Sequence, residues 1–101
     1  MVPADPEKLI VCLLKMRHDE VAEGIFQAVS EEHGRHMIDL WEKGILWAGG
    51  PSADSSIGVE IYSVDTIEEA MKFQRNAPLY VKGVLYDDKY FEWQPKRLPP
   101  K

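Results

Sequence analysis

The chain has 101 residues, 45% of them hydrophobic and 29% charged, with a formal net charge of −5. That length holds one domain, residues 1–101, with its core at about 8–94 and a Pro/Lys-rich tail at 95–101. The acidic balance and the scatter of the basic residues exclude a surface that tracks nucleic-acid phosphates, and no apolar run approaches the roughly 20 residues a membrane span needs.

The opening residues MVPADPEK carry no basic stretch followed by an apolar one, so a secretory leader is not expected. Lys8 to Met16 reads as a strand with an unbroken apolar run from Leu9 to Leu14. Leu9, Val11 and Leu13 take one face, and Ile10, Cys12 and Leu14 the other, so both faces must be covered. Cys12, the single cysteine, is expected to be a buried, inert thiol, which together with the missing leader points to a cytoplasmic protein.

A long helix is predicted from about His18 to Lys43, with Gly44 as its stop. Its buried stripe is Ala22, Phe26, Val29, His33, Met37 and Leu40, while Gly24 and Gly34 argue against a continuous helix. Ile45 to Ala48 reads as a short strand closed by a turn in GGPSADSS. A third strand runs about Gly58 to Ser63, and a second helix spans Asp65 to Phe73 with Asp65 as its N-cap. Asn76, Ala77 and Pro78 end that helix, and the last strand covers about Gly83 to Trp93.

The order β-α-β-β-α-β predicts an α+β, ferredoxin-like domain, a four-stranded antiparallel sheet with two helices on one face. Two helices leave the second sheet face bare, and an apolar patch of that size is expected to pair with another copy. A homodimer or higher homo-oligomer is therefore expected.

Two stretches carry a resemblance: HGRHMIDLWEKGILWAGGP at 33–51 and EEAMKFQRNAPLYVKGVLYDDKYFEWQP at 68–95. A helix-borne His33, Gly44 eleven residues on, a short apolar strand and a Gly49-Gly50-Pro51 segment make the first pattern. A helix ending at Pro78, with Gly83 opening the last strand, makes the second. Together they resemble the YCII-related proteins of the dimeric α+β barrel superfamily, which also contains muconolactone isomerases. The resemblance implies cofactor-free chemistry on small cyclic compounds, in a barrel closed by two copies. It departs from the family at Ala77, where relatives carry an Asp that would pair with the His.

His33 is the leading candidate for acid–base work, because an imidazole on the buried stripe titrates near neutral pH. The other reading is a core histidine satisfied by one carbonyl. Glu60, between Val59 and Ile61, is the candidate carboxylate; its side chain is expected to point away from the helices, where burial raises a carboxyl's pKa. The alternative is an edge-exposed Glu. His36 stands one turn from His33 and is expected to border the same pocket or the surface; two histidines fall short of the three or four ligands a metal site needs, so no metal is expected. Trp41 and Trp47 are expected to wall a pocket near the helix end, with core filling as the alternative. Tyr62 and Tyr86 are candidate phenolic donors to a substrate oxygen, packing being the other reading, and Pro78 is counted with the substrate-contacting residues.

No GxSxG elbow, phosphate loop or dinucleotide fingerprint occurs, so no cofactor is expected. The sequence thus carries two functional readings. One is a small-molecule isomerase or lyase moving a proton with His33, on a lactone or a halogenated hydroxyaromatic. The other is a non-catalytic small-molecule binder or accessory subunit on the same scaffold, suggested by Ala77.

Overall fold

The computed structural model describes residues 7–96 and Pro99. Its elements are β1 (Leu9–Met16), α1 (Glu20–Glu42), β2 (Leu46–Pro51), β3 (Ile57–Tyr62), α2 (Ile67–Gln74), α3 (Pro78–Val81) and β4 (Leu85–Trp93). The strands form one antiparallel sheet in the order β2-β3-β1-β4, so the apolar β1 lies between β3 and β4. This is the ferredoxin-like arrangement expected from the element order, with one short helix added between α2 and β4.

Helix α1 starts where its cap chemistry dictates. The Asp19 carboxylate accepts the Ala22 N–H at 2.9 Å, and Arg17 braces that carboxylate from outside. Gly24 and Gly34 leave the helix unbroken over 23 residues, because packing of Ala22 and Leu40 against the sheet outweighs the roughly 1 kcal/mol each glycine costs. Gly44, at φ +75, ends it in the left-handed conformation that glycine adopts without strain. Helix α2 is capped by Thr66, whose hydroxyl accepts the Glu69 N–H at 3.1 Å, and not by Asp65. The segment Thr66-Ile67-Glu68-Glu69 has the Thr-x-x-Glu spacing of a capping box, which outcompetes the Asp one residue earlier.

The core is built in two parts on the inner face of β1. Ile10 and Cys12 pack with Leu40, Leu46, Tyr62 and Ala70, and Leu14 packs with Ala22, Leu79, Val84 and Leu85. Register then decides the face of every strand residue. Cys12 pairs with Glu60 and Ile10 with Tyr62, so Glu60 and Tyr62 point toward the helices. That corrects the phase expected for β3. Val59 and Ile61 are apolar but belong to the outer sheet face, together with Leu13 and Phe91. With apolar residues on both faces, alternation alone could not say which was the core side.

The strand β2 runs on through Gly49, Gly50 and Pro51, residues expected to form a turn. The turn comes later, where Asp54 accepts hydrogen bonds from the Ser56 N–H and from the hydroxyls of Ser52 and Ser56. On the outer face, Trp47 of one edge strand and Trp93 of the other meet edge to face, 6.4 Å between ring centroids. They can do so only by reaching toward each other over the two central strands.

Candidate functional site

Helix α1 packs on α3 and β2, while α2 packs on β1 and β4. The space between α1 and the β2–β3 hairpin is left open. A cavity of about 330 Å³ lies there, a volume suited to one small ring compound. Its lining is mostly apolar: Phe26 and Met37 come from α1, Leu46 from β2, Leu79 from α3 and Leu85 from β4. Among the described residues the polar side chains in the wall are Ser30, His33, Ser55 and Glu60, with no lysine or arginine. Gly49, Gly50 and Pro51 form the opposite wall, where Gly49 brings no side chain into the space. A Cβ on Gly49 would stand 3.5 Å from the Met37 methyl and 3.8 Å from Glu60 Cγ.

His33 is half-buried and its ring is oriented. The Leu79 N–H donates to His33 Nδ1 at 3.3 Å. That N–H is one of the unpaired donors at the start of α3, where Ala77 occupies the N-cap position and offers no side-chain acceptor. His33 thus supplies, from another helix, the cap that Ala77 cannot. With Nδ1 accepting, the neutral ring must carry its proton on Nε2. Burial, with the neighbouring His36 charge adding to it, holds the His33 pKa down at about 4, so the imidazole is neutral near pH 7. It is a hydrogen-bond donor there and a poor proton acceptor.

Glu60 has the opposite character. It is 3% exposed, and burial pushes its carboxyl up to about 7, although a hydrogen bond from Tyr62 opposes the shift. The Tyr62 hydroxyl donates to Glu60 Oε1 at 2.5 Å. A carboxyl with a midpoint near neutrality can take a proton and return it at working pH. The wall therefore pairs an oriented neutral donor with a buried carboxyl able to exchange protons. No hydrogen bond joins the two among the described residues, and both line the same cavity.

Of the residues singled out from sequence, His33 and Glu60 line the cavity, and Tyr62 stands behind Glu60, wholly buried. His36 is half-buried outside the lining, with its Nε2 enclosed and without a hydrogen-bond partner. Trp41 is 62% exposed on the outside of α1, and Trp47 packs on Trp93, so neither walls the cavity. The reason for Trp41 is angular: the stripe facing the sheet ends on Met37 and Leu40, and the next position turns outward. Pro78 opens α3 as its first residue, and its neighbour Leu79 reaches the wall instead. Tyr86 is exposed, opposite Lys15 in the sheet register. Sequence reasoning missed Phe26, Ser30, Met37 and the Gly49–Pro51 wall as site residues. Ser30, three positions before His33 on one helix face, was the detectable signal. Among the described residues, no three His, Cys, Asp or Glu side chains gather as a metal-binding group, and no helix is long and apolar enough to cross a membrane.

No protein-family model matches the chain, and no curated protein matches it. The YCII-related resemblance read from the sequence therefore has no matching family model behind it. Among solved structures, the chain is similar to 5-chloro-2-hydroxyhydroquinone dehydrochlorinase (TftG) from Burkholderia phenoliruptrix AC1100, seen in complex with 2,5-dihydroxybenzoquinone. The TM-score is 0.61 at 15% identity, covering 87% of this chain and 93% of that one. At that identity the likeness is one of fold: the two chains share the α+β architecture of a four-stranded antiparallel sheet carrying its helices on one face.

Proposed function

We propose that the chain is a small-molecule enzyme that moves a proton on an uncharged, hydroxylated ring compound, with Glu60 as the base and His33 as the polarising donor. The observation that carries this reading is the Glu60 carboxyl, buried in the cavity wall with its Oε1 held by the Tyr62 hydroxyl, where burial pushes its pKa up to about 7. Removal of a hydroxyl or ring proton by Glu60 drives the released electron pair into the ring. His33 Nε2–H then stabilises the oxygen on which negative charge gathers. From that state two outcomes balance. The proton returns at a ring carbon, which is isomerisation to the keto form. Where that carbon carries a halogen, the halide then leaves with its bonding pair as a second hydroxyl gives up its proton and the ring becomes a quinone, a net loss of one proton and one halide ion. The structural likeness to a dehydrochlorinase gives the second outcome some support.

The same wall argues about substrate charge. A carboxylate-bearing lactone entering it would lose its hydration and meet Glu60 and a neutral imidazole, with no lysine or arginine among the described lining residues to pair with it. A neutral hydroquinone meets one donor and one acceptor. Calorimetric titration is expected to give saturable binding for hydroxylated quinones and hydroquinones, and binding at least about tenfold weaker for ring analogues carrying a carboxylate. Equal or tighter binding of the carboxylates would remove the substrate class proposed.

A second reading has its own observation. His33 Nδ1 is committed to capping α3 and Ala77 brings no carboxyl beside it, so a non-catalytic binder remains a coherent alternative. Saturable binding without conversion, in a protein that turns over no hydroxylated or halogenated ring, is its signature.

We also propose that the outer sheet face pairs with a second copy. Leu13, Val59, Ile61 and Phe91 are only half-buried there, and Trp47 and Trp93 are 47% and 38% exposed. Sedimentation is expected to give a dimer for wild type and a monomer for Ile61→Glu combined with Trp93→Glu. A wild-type monomer at micromolar concentration would overturn the pairing.

A further inference from the structure

We propose that Tyr62 is the positioning residue of this site: its hydroxyl holds one oxygen of Glu60 and leaves the other to the cavity. The inference rests on the reading of Glu60 as the proton-transferring group and assigns it a partner. Glu60 and Tyr62 stand two apart on β3, so they share its inner face. Tyr62 is wholly buried, opposite Ile10 on one side and Leu46 on the other, which locks the ring. It does not line the cavity, so its phenol is not available to a ligand. Its one proton goes to Glu60 Oε1 at 2.5 Å.

Glu60 Oε2 accepts no hydrogen bond from the described residues, and it is not among the enclosed polar atoms that lack a partner. It is the oxygen left open toward the cavity. A fixed Oε1 leaves a single orientation for Oε2, and a base held in one orientation needs no reordering when the substrate arrives.

The same bond governs how readily Glu60 ionises. A hydrogen bond donated to a carboxylate favours its charged form, against the burial that disfavours it. Burial, with the Glu60 charge beside it, pushes the Tyr62 hydroxyl far above its ordinary pKa, so it stays a donor at every working pH. The other titratable groups around Glu60 are accounted for. Cys12, its partner on β1, is pushed up to about 12 and remains a neutral thiol. His33 across the cavity is held at about 4 and remains neutral. On β4, Asp87 is tied to Arg75 at 2.9 Å and bonded by Tyr90. On the β2 side Glu60 faces Gly49, which carries no side chain.

The test follows the Glu60 carboxyl by carbon-13 NMR in glutamate-labelled protein, which needs no substrate. Wild type is expected to titrate near 7, and folded Tyr62→Phe about one unit higher. Glu60→Gln identifies the resonance. A Tyr62→Phe midpoint within about 0.3 unit of wild type overturns the proposal. Where Tyr62→Phe does not fold, 3-fluorotyrosine at position 62 keeps the shape and donates more strongly. It is expected to lower the midpoint, and an unchanged value overturns the proposal equally. A shifted midpoint in a protein that turns over no ring compound counts against Glu60 as a catalytic group and in favour of its hold by Tyr62.

Discussion

Replacing Glu60 by Gln is expected to lower turnover of a hydroxylated or halogenated hydroquinone by at least about a hundredfold, the scale on which an acid–base group is lost. The amide keeps the volume of the carboxyl and can still accept from Tyr62, so the cavity and the fold are preserved. What disappears is the only lining carboxyl among the described residues, the group that burial pushes up to about 7. His33→Gln is expected to cost less, about tenfold, because a glutamine amide can replace the Nε2–H as donor. The ranking of the two variants is the informative result. If His33 were the base, its substitution would be the deeper loss, and the rate would stop depending on pH near 7. For wild type, kcat/KM is expected to rise with pH through about 7, since the base must be ionised to act. Turnover by Glu60→Gln within threefold of wild type, measured spectroscopically on the same substrate, would remove Glu60 from the mechanism.

The same two residues are expected to pull the stability of the fold in opposite directions with pH. Glu60 has its pKa raised by burial from 4.5 unfolded to about 7 folded. Between those values the folded chain holds a proton that the unfolded chain has released. Its contribution is therefore full below about 4.5 and is lost as pH rises through 7, a change of about 3 kcal/mol. His33 has its pKa lowered, first by burial and then by His36, from 6.5 to about 4. Its contribution is present above 6.5 and is lost as pH falls toward 4. It amounts to about 2 kcal/mol after the solvent screening of a half-exposed ring. Over the shared window from 4.5 to 6.5 the two largely cancel, and wild type is expected to be nearly flat. Each single substitution uncovers the other slope. Glu60→Gln is expected to gain stability with rising pH between 4 and 6.5, and His33→Gln to lose it between 4.5 and 7. Carboxylates held below their ordinary range, Asp19, Asp54 and Asp87, titrate beneath this window. Urea unfolding of the three proteins at half-unit pH steps checks this. Two variants with slopes of the same sign would contradict the burial assigned to one of the residues.

How far the site could be read in advance follows from which interactions are local. His33 was legible because a helix repeats every 3.6 residues, and an imidazole in line with Val29 and Met37 has to face the sheet. Glu60 was legible as a residue type out of place between two branched apolar neighbours, but its direction was not. A strand has only two faces, and choosing between them takes the neighbours in register, Cys12 on one side and Gly49 on the other. The capping of α3 by His33 was out of reach, since the two partners lie 46 residues apart.

The sequence by itself determined the order of the elements and, from a β1 apolar on both sides, the need to cover two sheet faces. These follow from side-chain periodicity and from the cost of leaving apolar surface in water, both properties of short stretches. Only the tertiary structure decided that Gly49, Gly50 and Pro51 form a strand and a cavity wall, that the Tyr62 hydroxyl donates to Glu60, and that His33 accepts from the Leu79 N–H with its pKa held down by burial. Each of those outcomes depends on what another segment brings within hydrogen-bonding distance, and on how much water that approach removes. A side chain's burial, its tautomer and its pKa are properties of the assembled neighbourhood.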